Sequence, residues 1–214
     1  AVKPLSFPLG WAQGVEALLQ QSSSRNGGGG TTLVCQGGLA PVAVVLAARN
    51  PDLISRLVLT SPPTYEDMVT AIPEGELKRN YDFLTNPLSA RIAFGLLESE
   101  WALRFFSNAF LFAKPCDDAW IDNALKTISP AQRFPVAAFN AGLCNHRSFV
   151  DELTSQITQP TLILTGLDDK RDRQGYVDNM INCQWQQLEG CNVLPWENPA
   201  GVCGAVQDFI SSSS

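Results

Sequence analysis

The sequence holds a single histidine, His146, and two methionines in 214 residues. Its six cysteines, Cys35, Cys116, Cys144, Cys183, Cys191 and Cys203, include no CxxC pair. With one imidazole and no cysteine pair at ligand spacing, neither a zinc site nor any other cofactor is expected. The same scatter favours buried free thiols in a reducing compartment over a disulfide framework. No apolar run reaches the length of a membrane-spanning helix, and no signal-peptide pattern opens the chain. Lys and Arg number 15 against 21 Asp and Glu, for a net charge of −6. Phosphate-rich surfaces attract cations, so nucleic acid and anionic membrane are not expected as main partners. An initiator methionine is also missing. Ala1 stands first, which reads as a processed or truncated N-terminus, as removal of an organelle transit peptide would leave.

What the chain does have is a length that suits one domain with a substantial core, or a core with a helical cap. Its centre of organisation is Thr31–Asn50, TTLVCQGGLAPVAVVLAARN. Thr31–Cys35 is a short β-rich apolar run. Gln36-Gly37-Gly38 can turn sharply, because glycine tolerates positive φ. Pro41 falls in what would be a first helical turn, where its missing N–H costs nothing. Val42–Ala48 is apolar on every face, which predicts a helix buried between layers. The unit is thus strand, glycine turn, helix.

Before it, Ala1–Gly10 reads as an extended lead-in. Trp11–Gln21 spaces Trp11, Val15, Leu18 and Leu19 on one helical face. Gln21–Gly30, QSSSRNGGGG, reads as a flexible loop. It lacks the Gly-Lys-Ser/Thr end of a phosphate loop. After the unit, Leu53–Thr60 is the next strand. From Thr64 to Ser155 the spacing predicts helices at Glu76–Leu84, Pro87–Glu98, Glu100–Phe112, Asp117–Ile128, Phe134–Leu143 and Ser148–Leu153. Asp117 or Asp118 is positioned to cap one of them. Strands return at Gln159–Thr165 and Cys183–Leu188, joined through a polar helical connector at Lys170–Met180. Gly190–Pro199 reads as a loop and Ala200–Ile210 as a closing helix. The domain expectation is a core at 1–63 and 156–214, with a helical cap at 64–155 inserted between strands.

In order and spacing, three segments resemble the α/β-hydrolase superfamily: NPDLISRLVLTSP after the central helix, ITQPTLILTGLDD, and LEGCNVLPWENPAGVCGAVQDFI. The resemblance implies an α/β fold with a parallel sheet and a helical cap, and it makes Thr31–Asn50 the strand–turn–helix that carries the nucleophile. Carried over position by position, it puts the nucleophile at Gly37, the acid of the triad at Asp169 and the histidine at Asn192, five residues before Glu197 of Glu197-Asn198-Pro199. Glycine has no nucleophilic atom, and an asparagine amide cannot shuttle a proton near neutral pH. A catalytically degenerate member is therefore expected, with no catalytic residue. The family's strands upstream of the elbow are not visible before Trp11, which leaves the first strand as an open sheet edge. Weaker likeness around Arg133–Leu153 and the closing loop points to plant and algal plastid members, and with it to a chloroplast location.

Each candidate residue has a plainer reading beside the functional one. Cys35 reads as a small core residue rather than a displaced nucleophile. Asp169 reads as a turn or cap carboxylate once no histidine needs orienting. His146, with Ser61 or Ser148 as a partner, would make a new dyad; the plainer reading is a polar residue of the cap. The aromatic stretch Trp101–Phe112 reads as core in preference to a docking face. Three functions stay open. The first is a non-catalytic accessory subunit that meets a protein partner through the sheet edge or the cap. The second is a small-molecule binder using Gln36, Gly38, Asp169 and Asn192 in a pocket between sheet and cap. The third is an active hydrolase with a relocated nucleophile.

Overall fold

The computed structural model describes residues 7–26 and 30–212. Four strands, β1 Thr31–Gln36, β2 Ile54–Thr60, β3 Thr161–Gly166 and β4 Cys183–Leu188, form one parallel sheet in the order β1-β2-β3-β4. Each parallel step needs a crossover, and helices supply it. Successive side chains of a strand point to opposite faces. On one face Leu57, Leu59 and Ile163 meet the helix α2, Ala40–Arg49. On the other, Val58, Leu162 and Leu164 meet α10, Leu194–Glu197, and α11, Pro199–Ser212, through Leu194, Val202, Ala205 and Phe209. Burying each large aliphatic side chain stabilises by about 1.5–3 kcal/mol. An exposed ion pair contributes about 0–1 kcal/mol. The two apolar layers, not the surface charges, hold the sheet.

Residues Ala40 to Ala47 of α2 are all buried, as the all-round apolar sequence requires. Outside it lies α1, Leu9–Asn26, whose Trp11, Val15 and Leu19 pack on the core. Leu18, expected on that face, is exposed. The expected loop at 21–30 is corrected in part: α1 runs through the serines to Asn26, because serine is tolerated in a helix already held by its apolar stripe. Residues 27–29 lie outside the described residues. Gly166 ends β3 where a Cβ would sit 2.1 Å from the Gly190 carbonyl oxygen, so only glycine fits. Among the described residues, no strand pairs with the second edge of β1, and Val34 on it is 50 % exposed.

Between β2 and β3 stand α3 Tyr65–Val69, α4 Glu74–Thr85, α5 Pro87–Leu97, α6 Glu100–Phe106, α7 Asp118–Thr127 and α8 Pro130–Asn140. A wide turn at Ser107–Leu111 extends α6. Asp117 caps α7 by accepting Trp120 N at 2.7 Å, while Asp118 pairs with Arg104. Between β3 and β4 the expected polar connector holds α9, Gln174–Asn179. The expected loop at Gly190–Pro199 holds the short helix α10, with Pro195 in its first turn. The six thiols are free, as expected, but only Cys116 and Cys144 are buried; Cys35, Cys183 and Cys191 are half-buried and Cys203 is exposed. The reading of Trp101–Phe112 as core is overturned. Trp101 is 68 % exposed, and Phe105, Phe106 and Phe110 are exposed with it. These rings satisfy one another on the surface, Trp101 stacking on Phe105 at 5.7 Å and Phe106 on Phe110 at 6.1 Å.

Candidate functional site

The turn between β1 and α2 keeps the backbone shape of an elbow. Gly37 adopts φ 63°, the left-handed region, and a Cβ there would meet nothing within 4 Å. The space for a side chain exists; the side chain does not. Gly38, next to it, lies beneath Phe139, whose ring would be 2.2 Å from an added Cβ. An aromatic of α8 thus covers the turn.

Gln36, the last residue of β1, is tied on both sides. Its Nε2 donates to the Asn192 carbonyl oxygen at 2.6 Å. Its Oε1 accepts from the Thr60 hydroxyl, which also reaches the Cys35 carbonyl oxygen at 3.2 Å. The Gln36 amide therefore links β1, the end of β2 and the loop after β4. Asn192 is held from the cap side as well. Its N donates to Leu111 O at 2.9 Å, and its Nδ2 to Phe110 O at 3.4 Å. Glu197 fastens the same loop, accepting Cys191 N at 2.8 Å and Ala113 N at 2.7 Å. The fold brings Gln36 and Asn192 together, as a pair of structural ties.

Asp169 belongs to a separate set of contacts. It is buried, and both oxygens are engaged by arginines. Arg171 Nε and Nη2 donate to them at 2.8 and 3.0 Å, and Arg171 N donates to Oδ1 at 3.2 Å. Arg173 Nη2 donates to Oδ2 at 3.2 Å. Burial alone would push this carboxyl up, but the Arg171 side chain and backbone N–H, with the charge of Arg173, hold it below the ordinary range. Arg173 is completely buried, and its other bonds run to Pro62 O at 2.9 and 2.7 Å and to Arg171 O at 2.8 Å. Nearby, the Tyr176 hydroxyl donates to Pro63 O at 2.9 Å. Asp169 and Arg173 thus clamp the turn after β3 to the segment after β2. Among the described residues, no hydrogen bond joins Asp169 to Asn192.

The other candidates separate cleanly. Burial pushes the Cys35 thiol up to about 12, so its thiolate fraction near neutral pH is negligible. The His146 ring donates from Nδ1 to Leu143 O at 2.7 Å. Among the described residues neither proposed serine bonds to it. Ser148 Oγ accepts Val150 N at 3.4 Å, and Ser61 Oγ is buried without a hydrogen-bond partner. Ser61 also has φ 45°, a strained backbone for a non-glycine residue. Sequence reasoning missed Thr60, Phe139, Arg171 and Arg173. The charge-dense run Asp168-Asp169-Lys170-Arg171-Asp172-Arg173 was the available signal for the last two. Among the described residues no cluster of potential ligands could hold a metal ion, and no helix is long and apolar enough to cross a membrane.

No protein-family model matches the sequence, and no curated protein matches it. Solved structures do. A thermophilic esterase from Thermogutta terrifontis superposes with TM-score 0.68 at 16 % identity, covering 100 % of this chain and 75 % of the esterase. The epoxide hydrolase CorEH gives 0.67 at 17 %, covering 95 % and 74 %. The α/β hydrolase MGS-M2, from a Medee basin deep-sea metagenome library, gives 0.66 at 15 %, covering 98 % and 74 %. At such identities it is the backbone course alone that is shared, and on that ground this chain has the α/β-hydrolase fold.

Proposed function

We propose that this chain is a non-catalytic α/β-hydrolase-fold protein that serves as an accessory subunit and meets its protein partner through the cap. The observation that carries the reading is the exposed apolar face of α5 and α6. Leu88, Ile92 and Leu96 recur every four residues along α5, and Leu88 and Ile92 are 73 % and 69 % exposed. Trp101, Phe105 and Phe110, on α6 and the turn after it, are exposed as well. Exposed apolar surface of this kind is a mark of interaction sites. Partner interfaces are also enriched in Trp and Phe at their centres.

The elbow supports the non-catalytic half of the reading. Proton transfer in acyl chemistry needs a nucleophile, a base and an acid that orients the base. Gly37 supplies no atom, Asn192 uses its amide donor on the cap, and Asp169 is bound to two arginines. The test has two arms. Ester substrates should give no turnover above buffer, and the full-length protein should sediment in its native extract as an assembly larger than the monomer. Ile92→Glu with Trp101→Glu should release a monomer of unchanged melting temperature. A protein that is monomeric in its native extract, or an esterase activity abolished by one substitution in the elbow region, overturns the reading.

A further inference from the structure

A cavity of about 370 Å3 lies beside the C-terminal half of α2, lined by different residues from the turn at Gly37. Its size falls in the range of small-molecule sites. Val45, Ala48 and Phe7 give it an apolar wall, and Arg49, His146 and Arg147 line it with Glu152. Two arginines face one carboxylate, an excess of positive charge on a protein whose net charge is −6.

The carboxylate is already committed. Glu152 is buried and paired with Arg147, whose guanidinium also lies 4.9 Å from the centre of the Phe149 ring. Arg49 is different: it is exposed, and among the described residues it has no ion-pair partner. It is not consumed in capping α2 either. Asn50 does that, since its N and its Nδ2 both donate to Leu46 O at 3.1 Å. His146 has spent Nδ1 on Leu143 O, which leaves Nε2 as the ring's remaining polar atom.

We propose that this cavity binds a small amphiphile with an anionic head and a short apolar tail. Arg49 pairs with the head, and the tail lies along Val45 and Ala48. An arginine fork suits a carboxylate or phosphate oxygen pair. The apolar wall favours an amphiphile over a bare inorganic anion, because the tail buries apolar surface that an ion by itself leaves wet. This site goes beyond the accessory role and does not rest on it.

The probes are hexanoate and hexanol, which share a tail and differ in charge, titrated calorimetrically into the full chain. Hexanoate should bind saturably at one site, and hexanol at least tenfold more weakly. Arg49→Gln should weaken hexanoate about tenfold, the loss of one charge-assisted contact, and leave hexanol unchanged. Ala48→Phe should remove both by filling the tail space; if that variant fails to fold, Arg49→Gln alone decides. Circular dichroism checks the fold of each variant. Three results overturn the site: no saturable hexanoate binding tighter than about 1 mM, hexanol binding as tightly as hexanoate, or equal hexanoate affinity in Arg49→Gln and the unmodified protein.

Discussion

The side chain of Gln36 donates its Nε2 hydrogen bond to the backbone carbonyl oxygen of Asn192 at 2.6 Å, across 156 residues of sequence. The bond holds β1 to the loop after β4. A bond of this kind contributes about 0.5–1.5 kcal/mol net, but leaving a partly buried carbonyl unpaired costs about 1–3 kcal/mol.

Gln36→Leu should therefore destabilise by about 1–3 kcal/mol, since it removes the donor to Asn192 O and leaves the Thr60 hydroxyl with the Cys35 carbonyl as its one acceptor. Urea titration measures the loss. Hydrogen exchange should show faster exchange at Cys191, Asn192 and Val193, whose loop the bond helps to hold. Unchanged exchange there would mean that Leu111 and Glu197 secure the loop without Gln36.

Restoring the missing side chains should not restore chemistry. Gly37→Ser has room for its Cβ but sits at φ 63°, so it should cost about 1–2 kcal/mol in stability. Combined with Asn192→His, it should still give no ester turnover, because both Asp169 oxygens stay with Arg171 and Arg173. Turnover that disappears on adding Asp169→Asn would show instead that the carboxylate can leave its arginines.

Asp169→Ala should destabilise by about 3–5 kcal/mol, the range for removing one partner of a buried pair. It leaves Arg173, fully buried, with backbone carbonyls alone. A loss below 1 kcal/mol in denaturant titration would place the Asp169 network among surface pairs.

The same carboxyl predicts an acid response. Its folded-state pKa is lowered, so its contribution is complete above the unfolded value of about 3.9 and is lost as pH falls through the folded value. Stability should drop below about pH 4, and the drop should be shallower in Asp169→Asn. Equal slopes in the two proteins would assign the acid transition to other carboxylates.

Thiol labelling at pH 8 should modify Cys203 first, because it is exposed. Cys35 and Cys144, pushed by burial up to about 12 and about 11, should react only on unfolding. Peptide mass spectrometry orders the sites. Early labelling of Cys35 would reopen its reading as a reactive group.

Much of the fold was legible because its signals are local. A β-rich run, a glycine pair and an all-apolar helix at Thr31–Asn50 define a layered unit whatever surrounds them, and β2, β3 and β4 each begin within two residues of their expected starts. The helix through the serines to Asn26 was not legible, since helix extension there depends on the part already docked. Nor was the exposure of Trp101 and Phe105: helical spacing marks an apolar face, and nothing in the spacing says whether a neighbour covers it.

The candidate site divides along the same line. That Gly37 carries no nucleophilic atom and Asn192 no imidazole is a matter of composition, which the sequence alone determined; that these two are the triad positions is what the resemblance implies. The uses to which Gln36, Asp169 and His146 are put were decided only in three dimensions. Hydrogen-bond partners lie anywhere in the chain: Asn192 for Gln36, Pro62 for the arginine behind Asp169. His146 lines a cavity with Arg49, nearly a hundred residues away. Side-chain type is a property of one position, whereas pairing, burial and the open apolar face of α5 and α6 are properties of which surfaces the packed elements bring together and which they leave to solvent.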